Sequence, residues 1–220
     1  MAYGQHRILT PFQRWGLLVG YWSVAMAIVI PTGLFNNLLE QDWMVMDNWK
    51  AIHLLESTAI FFHVWSLASY SFGRRFSLFS TMVYPVGHIS DTLLWLTIFD
   101  FGRKILPLYP YAGGMTTYSL YVILHRNTLE VSYLPEHHPP AGVRSSNISG
   151  KETVYVLAAI LSGFLMMAVY HKTNDTKWVV LVKFVQDFFF CLHMRLPAPW
   201  HPYNPVEHDA VKLHNDWTGF

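Results

Sequence analysis

The sequence predicts an all-α integral membrane bundle with four or five transmembrane helices and one interfacial helix. Three observations carry that prediction. Of 220 residues, 52% are hydrophobic and 16% aromatic, while only 13% are charged, against ~25% in an ordinary soluble domain. The charges gather between apolar blocks, which is the distribution a bilayer demands. Several of these blocks approach the ~20 residues needed to cross a ~30 Å hydrocarbon layer.

The first block, Trp15 to Phe35, contains no charge, and Pro31 and Gly33 fall near its end. Asn36 to Lys50 follows with Glu40, Asp42 and Asp47, and its Trp43 and Trp49 suit an interfacial aromatic belt. Ala51 to Phe72 reads as a second span interrupted by His53, Glu56 and His63. Phe76 to Phe99 is long and apolar enough to cross but holds Pro85, Gly87, His88 and Asp91. It reads equally as a span or as a re-entrant segment packed against protein. Asp100 to Lys104 and the Pro107, Pro110, Gly113 and Gly114 cluster are expected to end it.

Thr116 to Tyr133 is expected to be a short amphipathic, interfacial helix, and Leu134 to Gly150 an exposed loop. Val154 to Tyr170 is a clean span, and Trp178 to Leu196 is the last, enclosing Lys183, Asp187 and His193. Residues 1–196 therefore read as one transmembrane domain, with spans near 15–35, 51–72, 154–170 and 178–196, and a fifth at 76–99 if that segment crosses. The polar tail 197–220, with His201, His208 and His214, is expected to dock on partner subunits.

Arg7 and Arg14 precede the first span, and Arg74 and Arg75 follow the second. Positive charge thus marks one side, and the positive-inside bias makes it cytoplasmic or matrix-facing. The expected setting is a bacterial cytoplasmic or mitochondrial inner membrane. The amino terminus has neither transit-peptide nor cleavable-signal character, so membrane entry would use the first span. A net charge of +1 and the lack of a Lys/Arg tract exclude nucleic acid as a partner. Cys191 is the only cysteine, which rules out an internal disulfide framework, and no Cys-x-x-Cys-His exists for covalent haem.

Ionisable groups inside spans are costly, so each is a functional candidate. His53 and Glu56 are three residues apart and so neighbours on one helix face; His88 and Asp91 repeat the spacing. A carboxylate beside an imidazole fixes its tautomer, as for a metal-ligating or proton-relaying histidine. Each pair can equally be a satisfied polar couple. Lys183 and Asp187, four apart, can neutralise each other or line a proton or quinone path.

Haem b in a bundle needs two imidazoles facing each other at one depth. His53 and His63 differ by about 15 Å in height on one helix and cannot share a haem. Their partners would come from His88, His171 and His193. If the third segment spans, His193 returns near His53, while His63 and His88 lie deep. If it does not, His63 pairs with His193 and His53 with His171.

Four blocks resemble the gamma, cytochrome b subunits of formate dehydrogenase and nickel–iron hydrogenase. They are Tyr21-Trp22 through Pro31-Thr32-Gly33-Leu34, His53, Pro139-Pro140-Ala141-Gly142 to Gly150-Lys151, and Leu192-His193-Met194. The resemblance implies a quinone-reactive, haem-carrying membrane subunit, with His53 and His193 as haem-iron ligands. Tyr21 stands where that family has a ligating histidine, and Lys183 stands near another. Ser119 with His125-Arg126, and His88 with Asp100-Phe101, are similar to quinone-site patterns of the complex II membrane anchors, in a different chain order.

The expected function is a membrane-anchor subunit of a respiratory electron-transfer complex, contributing to a quinone or haem b pocket, with lipid bound to its surface and other subunits as partners. Its cofactor-binding candidates are His53, His63, His88 and His193. Its proton or quinone candidates are Glu56, Asp91, Lys183 and Asp187. Two alternatives stand beside it: a cofactor-free accessory subunit of a large energy-converting complex, and a subunit of a membrane metal-dependent oxygenase.

Overall fold

The computed structural model describes residues 10–43, 45–67, 77–125, 146–194 and 199–200, with only the backbone for 11, 14, 64–67, 146–155, 190, 191, 193 and 194. These residues form seven α-helices and no strand. They are α1 (Pro11–Val29), α2 (Leu34–Glu40), α3 (Asn48–Leu67), α4 (Leu78–Ile105), α5 (Pro110–His125), α6 (Ser146–Thr173) and α7 (Thr176–Met194), with a 3-10 turn at Ile30–Thr32.

α1 begins on a reciprocal cap. Thr10 Oγ1 accepts from the Gln13 amide at 3.2 Å, and Gln13 Oε1 accepts from the Thr10 amide at 2.9 Å, with Pro11 filling a position that needs no donor. The helix tightens into the 3-10 turn and stops at Gly33, whose φ of 80° is left-handed and suits glycine. The expected span to Phe35 is thus two segments.

Side-chain pairs fix the helix directions. Asp91 meets Tyr121, Trp95 meets Tyr118 and Phe99 meets Tyr111, so α4 and α5 are antiparallel. Tyr118 donates to the Ala159 carbonyl and Tyr111 to that of Phe164, which makes α5 and α6 antiparallel. Ser57 with Ser162, and Trp49 with Lys172, do the same for α3 and α6. His88 with Asp187, and Trp95 with Lys183, do so for α4 and α7. Trp15 on Phe79 and Trp22 on Tyr84 set α1 parallel to α4. The six long helices alternate in direction along the chain.

Three segments differ from the sequence reading. The segment read at 76–99 is helical from Leu78 and runs on to Ile105 as one continuous helix, α4, of 28 residues, roughly 42 Å long at 1.5 Å per residue. It packs on α1, α5 and α7, and His88, Asp91 and Leu93 to Leu96 are all buried. Asp100 to Lys104 do not end it: Asp100 pairs with Arg103 at 3.0 Å inside the last turns. The expected interfacial helix starts earlier, at Pro110, and lies between α4 and α6 with Gly113, Gly114, Met115 and Tyr118 buried. Gly113 and Gly114 are packing residues, because a Cβ at Gly113 would strike the Gly102 carbonyl and one at Gly114 the Phe99 ring. Finally, α6 begins at Ser146, so the last part of the expected loop to Gly150 is helical. The rest of that loop and the tail from 201 lie outside the described residues.

The end of the bundle bearing α2 is clasped. Lys50 and Asp175, both buried, lie 2.6 Å apart. Lys50 Nζ also donates to the Val45 carbonyl at 2.9 Å, and Asp175 Oδ1 caps α7 by accepting from the Trp178 amide at 3.0 Å. Gln41 Oε1 accepts from the Thr176 amide at 3.2 Å, and Trp43 meets Trp178 edge-on at 5.0 Å. The expected aromatic belt at Trp43 and Trp49 thus has Lys177 over the first ring and Lys172 over the second.

Two windows, Trp15–Thr32 and Val156–Thr173, are long and apolar enough to cross a membrane. The other long helices carry ionisable or polar residues: Glu56 in α3, His88 and Asp91 in α4, Lys183 and Asp187 in α7. Large apolar side chains cover the outside of all six, among them Leu17, Val24, Leu55, Val86, Phe164 and Val185.

Candidate functional site: a buried ionic array

Four of the predicted residues converge where α4 faces α7. Lys183 donates to Asp187 Oδ1 one helical turn away. Asp187 Oδ2 lies 2.7 Å from His88 Nδ1 across the helix interface. Nε2 of the same imidazole stands 3.2 Å from Asp91 Oδ2. That last contact is off the hydrogen-bond angle, so it is electrostatic only, and both atoms lack a hydrogen bond among the described residues. Asp91 Oδ1 accepts from Tyr21 of α1 and, at 3.0 Å, from Tyr121 of α5; the two hydroxyls also touch.

The array therefore ties together four helices. His88, Asp91, Lys183 and Asp187 are each at most 5% exposed. Two carboxylates face one ammonium, and the imidazolium form of His88 would balance the second. Ion pairs taken out of water hold together only when every charge finds a partner, and this geometry supplies one for each.

Aromatic rings wall the array. Tyr84 stacks on His88 at 5.0 Å, and Trp95 meets the imidazole edge-on at 6.3 Å. Lys183 Nζ lies 5.1 Å from the Trp95 ring centre and 5.2 Å from that of Phe61, close enough for cation–π attraction. A cavity of about 20 Å³ adjoins the array, lined by Lys183, His125, Ser162 and Trp95 together with Phe61, Val122 and Ala159.

The remaining candidates sit elsewhere. His53 is half-buried on α3, its Nδ1 3.0 Å from the Trp49 carbonyl and its ring tilted against Trp49 at 4.5 Å. Glu56 is exposed and forms no pair with His53, and His63 is exposed further along the helix. The backbone of His193 lies in the last turn of α7, and its side chain is outside the described residues.

A haem does not fit at His88. Both ring nitrogens face carboxylates, Tyr84 covers one ring face, and the adjoining cavity has room for little more than a water molecule. Among the described residues no group of three or more His, Cys, Asp or Glu side chains is arranged to hold a metal ion. Although His88, Asp91 and Asp187 are neighbours, the imidazole lies between the carboxylates and leaves no shared focus.

Sequence reasoning missed Tyr121, and it named Tyr21 and His125 only through family resemblances, without linking either to Asp91. Tyrosines in apolar helices read as lipid-facing or interfacial, and only the packing brings two of them onto one carboxylate. His125, the last described residue of α5, stacks on Tyr121 at 5.4 Å and meets the Tyr21 ring at a tilt at 4.9 Å. Lys50 and Asp175 were also missed, since each stands at a span boundary where solvation is the ordinary expectation. No protein-family model, curated protein or solved structure matches the chain.

Proposed function

We propose that this protein is a multi-pass membrane subunit whose interior array takes up and holds protons for a larger energy-converting complex. One observation carries the reading: the molecule is inside-out. Its exposed helix faces are rich in Leu, Val, Ile and Phe, whereas Lys50, His88, Asp91, Asp175, Lys183, Gln186 and Asp187 are buried. Contiguous exposed apolar surface on this scale needs an apolar surrounding. Intramembrane charges face the bundle interior, pair with one another, and mark proton or ion paths.

The up-and-down order sharpens the topology. The start of α1, the last turn of α3 and the start of α4 lie toward one end of the bundle, and α5 runs in that direction. In the sequence Arg14 opens α1, Arg74 and Arg75 fall between α3 and α4, and Arg126 and Arg144 fall between α5 and α6, so the positive-inside bias makes this the cytoplasmic or matrix-facing side in our reading. α2 and the clasp belong to the opposite end.

Within this reading His88, Asp91, Lys183 and Asp187 handle the proton, and Tyr21 and Tyr121 hold Asp91 in place. The tight packing around His88 favours a subunit that works without its own haem at this site, leaving electron transfer to partner chains. Flotation with sealed phosphatidylcholine vesicles checks the premise. The chain should rise with the vesicles and stay with them in alkaline carbonate; release by carbonate would reduce it to a peripheral protein and overturn the reading.

A further inference from the structure

We infer that the array holds a single mobile proton in the gap between His88 Nε2 and Asp91 Oδ2, and that Tyr21 and Tyr121 are the positioning residues that keep it on the imidazole. The inference rests on the membrane reading above and adds to it which atoms carry the proton and what controls its place.

The rest of the array is committed. Asp187 accepts from Lys183 on Oδ1 and from His88 Nδ1 on Oδ2, so the Nδ1 proton is fixed and both oxygens are used. Asp91 Oδ1 accepts from Tyr21 and, at 3.0 Å, from Tyr121. That leaves His88 Nε2 and Asp91 Oδ2, two buried atoms without a hydrogen bond among the described residues, which face each other at 3.2 Å. With no proton between them, two lone pairs oppose each other, and two carboxylates stand against one ammonium. With two protons, an N–H meets an O–H and the array carries an excess positive charge. A single proton balances the charges, as a site taken out of water requires.

This proton has two resting places. On Nε2 it makes an imidazolium–carboxylate pair; on Oδ2 it makes a neutral imidazole beside a carboxylic acid. In passing from the first to the second, the N–H bond breaks and its electron pair stays on Nε2. A lone pair of Asp91 Oδ2 forms the new O–H bond. His88 keeps its Nδ1 proton on Asp187, and Lys183 and Asp187 are unchanged.

Burial favours the neutral pair, because ions taken out of water lose their hydration. Three contacts favour the ionic one. Asp187 draws positive charge to the imidazole, and the two phenol groups on Asp91 Oδ1 stabilise the carboxylate, since hydrogen bonds to a charged form favour it. The phenols come from different helices, Tyr21 from α1 and Tyr121 from α5, and the His125 ring lies against both, at 4.9 and 5.4 Å. The place of the proton thus depends on α1 and α5 both staying seated against α4. Of the other groups around the gap, Lys183 opposes charge on His88 but is paired with Asp187. Tyr84 stacks on the imidazole, and Tyr118 donates to the Ala159 carbonyl.

The test uses the full chain with nitrogen-15 histidine in phosphatidylcholine vesicles at about pH 8, where a solvated histidine is neutral. The wild type should keep one doubly protonated imidazole signal. It should show no carboxylic-acid carbonyl band in the infrared that Asp91→Asn removes. Tyr21→Phe/Tyr121→Phe, with helix content unchanged, should lose that nitrogen signal and gain a carbonyl band of one acid group per chain. Asp91→Asn in the same background should abolish the band. Tyr121→Phe alone keeps the Tyr21 contact and should give an intermediate band; if the double variant does not fold, a Tyr121→Phe spectrum identical to wild type would overturn the inference. So would an Asp91 acid band already present in the wild type, or a folded double variant with both signals unchanged. A new acid band with the imidazolium signal retained would mean two protons in the gap and overturn the single-proton count. A chain that does not rise with vesicles in the flotation experiment fails the membrane reading itself, while spectra of the same chain in detergent still decide where the proton sits.

Discussion

Asp187→Leu is expected to destabilise the folded chain by about 3–5 kcal/mol, the cost of leaving buried charge without its partner. Among the described residues Asp187 is the one carboxylate that touches both Lys183 and His88. Its removal strands an ammonium at a position 4% exposed and cuts the Asp187 link between α7 and the α4 imidazole. The variant should unfold earlier in a denaturing-detergent titration followed by circular dichroism. The double variant Lys183→Met/Asp187→Leu removes both charges, leaves His88 free to be neutral, and should recover most of the loss. Such coupling between touching residues is what a double-mutant cycle measures. If the single and double variants lose the same amount, the pair is solvated and the array is not the electrostatic unit described above.

The second large effect concerns backbone contact. Gly102 of α4 and Gly113 of α5 face each other so closely that a Cβ on either would overlap the carbonyl of the other, and one at Gly102 would also strike Thr117 Oγ1. Thr117 Oγ1 in turn donates to the Ile98 carbonyl at 2.9 Å, so the two helices are locked at this crossing. Small residues permit such approach in membranes, where helix association depends on packing and interhelical hydrogen bonds. Gly102→Val should cost about 2–3 kcal/mol or more through forced separation of the helices. Gly16→Ala and Gly20→Ala, whose added Cβ meets nothing within 4 Å, should be neutral or stabilising by up to about 1 kcal/mol. The same detergent titration compares them, and equal stability of Gly102→Val and Gly16→Ala would contradict the tight crossing.

The sequence disclosed most where apolar runs were long. α1 and α6 follow from uninterrupted hydrophobic stretches, and α3 and α7 from long ones broken by a few ionisable residues. It misled where glycine and proline do two jobs. Pro110 and Gly113 read as turn residues, yet Pro110 opens α5 and Gly113 makes its contact with α4. The 76–99 segment was ambiguous because polar residues that suit a buried helix face also suit a re-entrant loop, and only the neighbours distinguish them.

The candidate site was half legible for a similar reason. Spacings of three and four residues announce His88 with Asp91 and Lys183 with Asp187, because helix geometry puts such residues on one face. The same rule failed for His53 and Glu56, since a shared face says nothing about whether it is buried; Glu56 points outward and His53 turns to the Trp49 carbonyl. Joining the two surviving pairs into one array required matching depth and direction across α4 and α7, which a linear sequence does not encode. The attachment of Tyr21, 70 positions from Asp91, was beyond reach for the same reason.

The central claim is that the apolar outside of the bundle faces lipid while the charges face inward. Spin labels on single cysteines at Leu17, Leu55, Phe164 and Val185, in a Cys191→Ser background reconstituted into vesicles, test it most directly. The account predicts that collision rates with oxygen exceed those with a water-soluble nickel chelate at all four sites, with oxygen contact greatest nearest mid-helix. Preferential collision with the nickel chelate at these sites would place the surface in water and contradict the account.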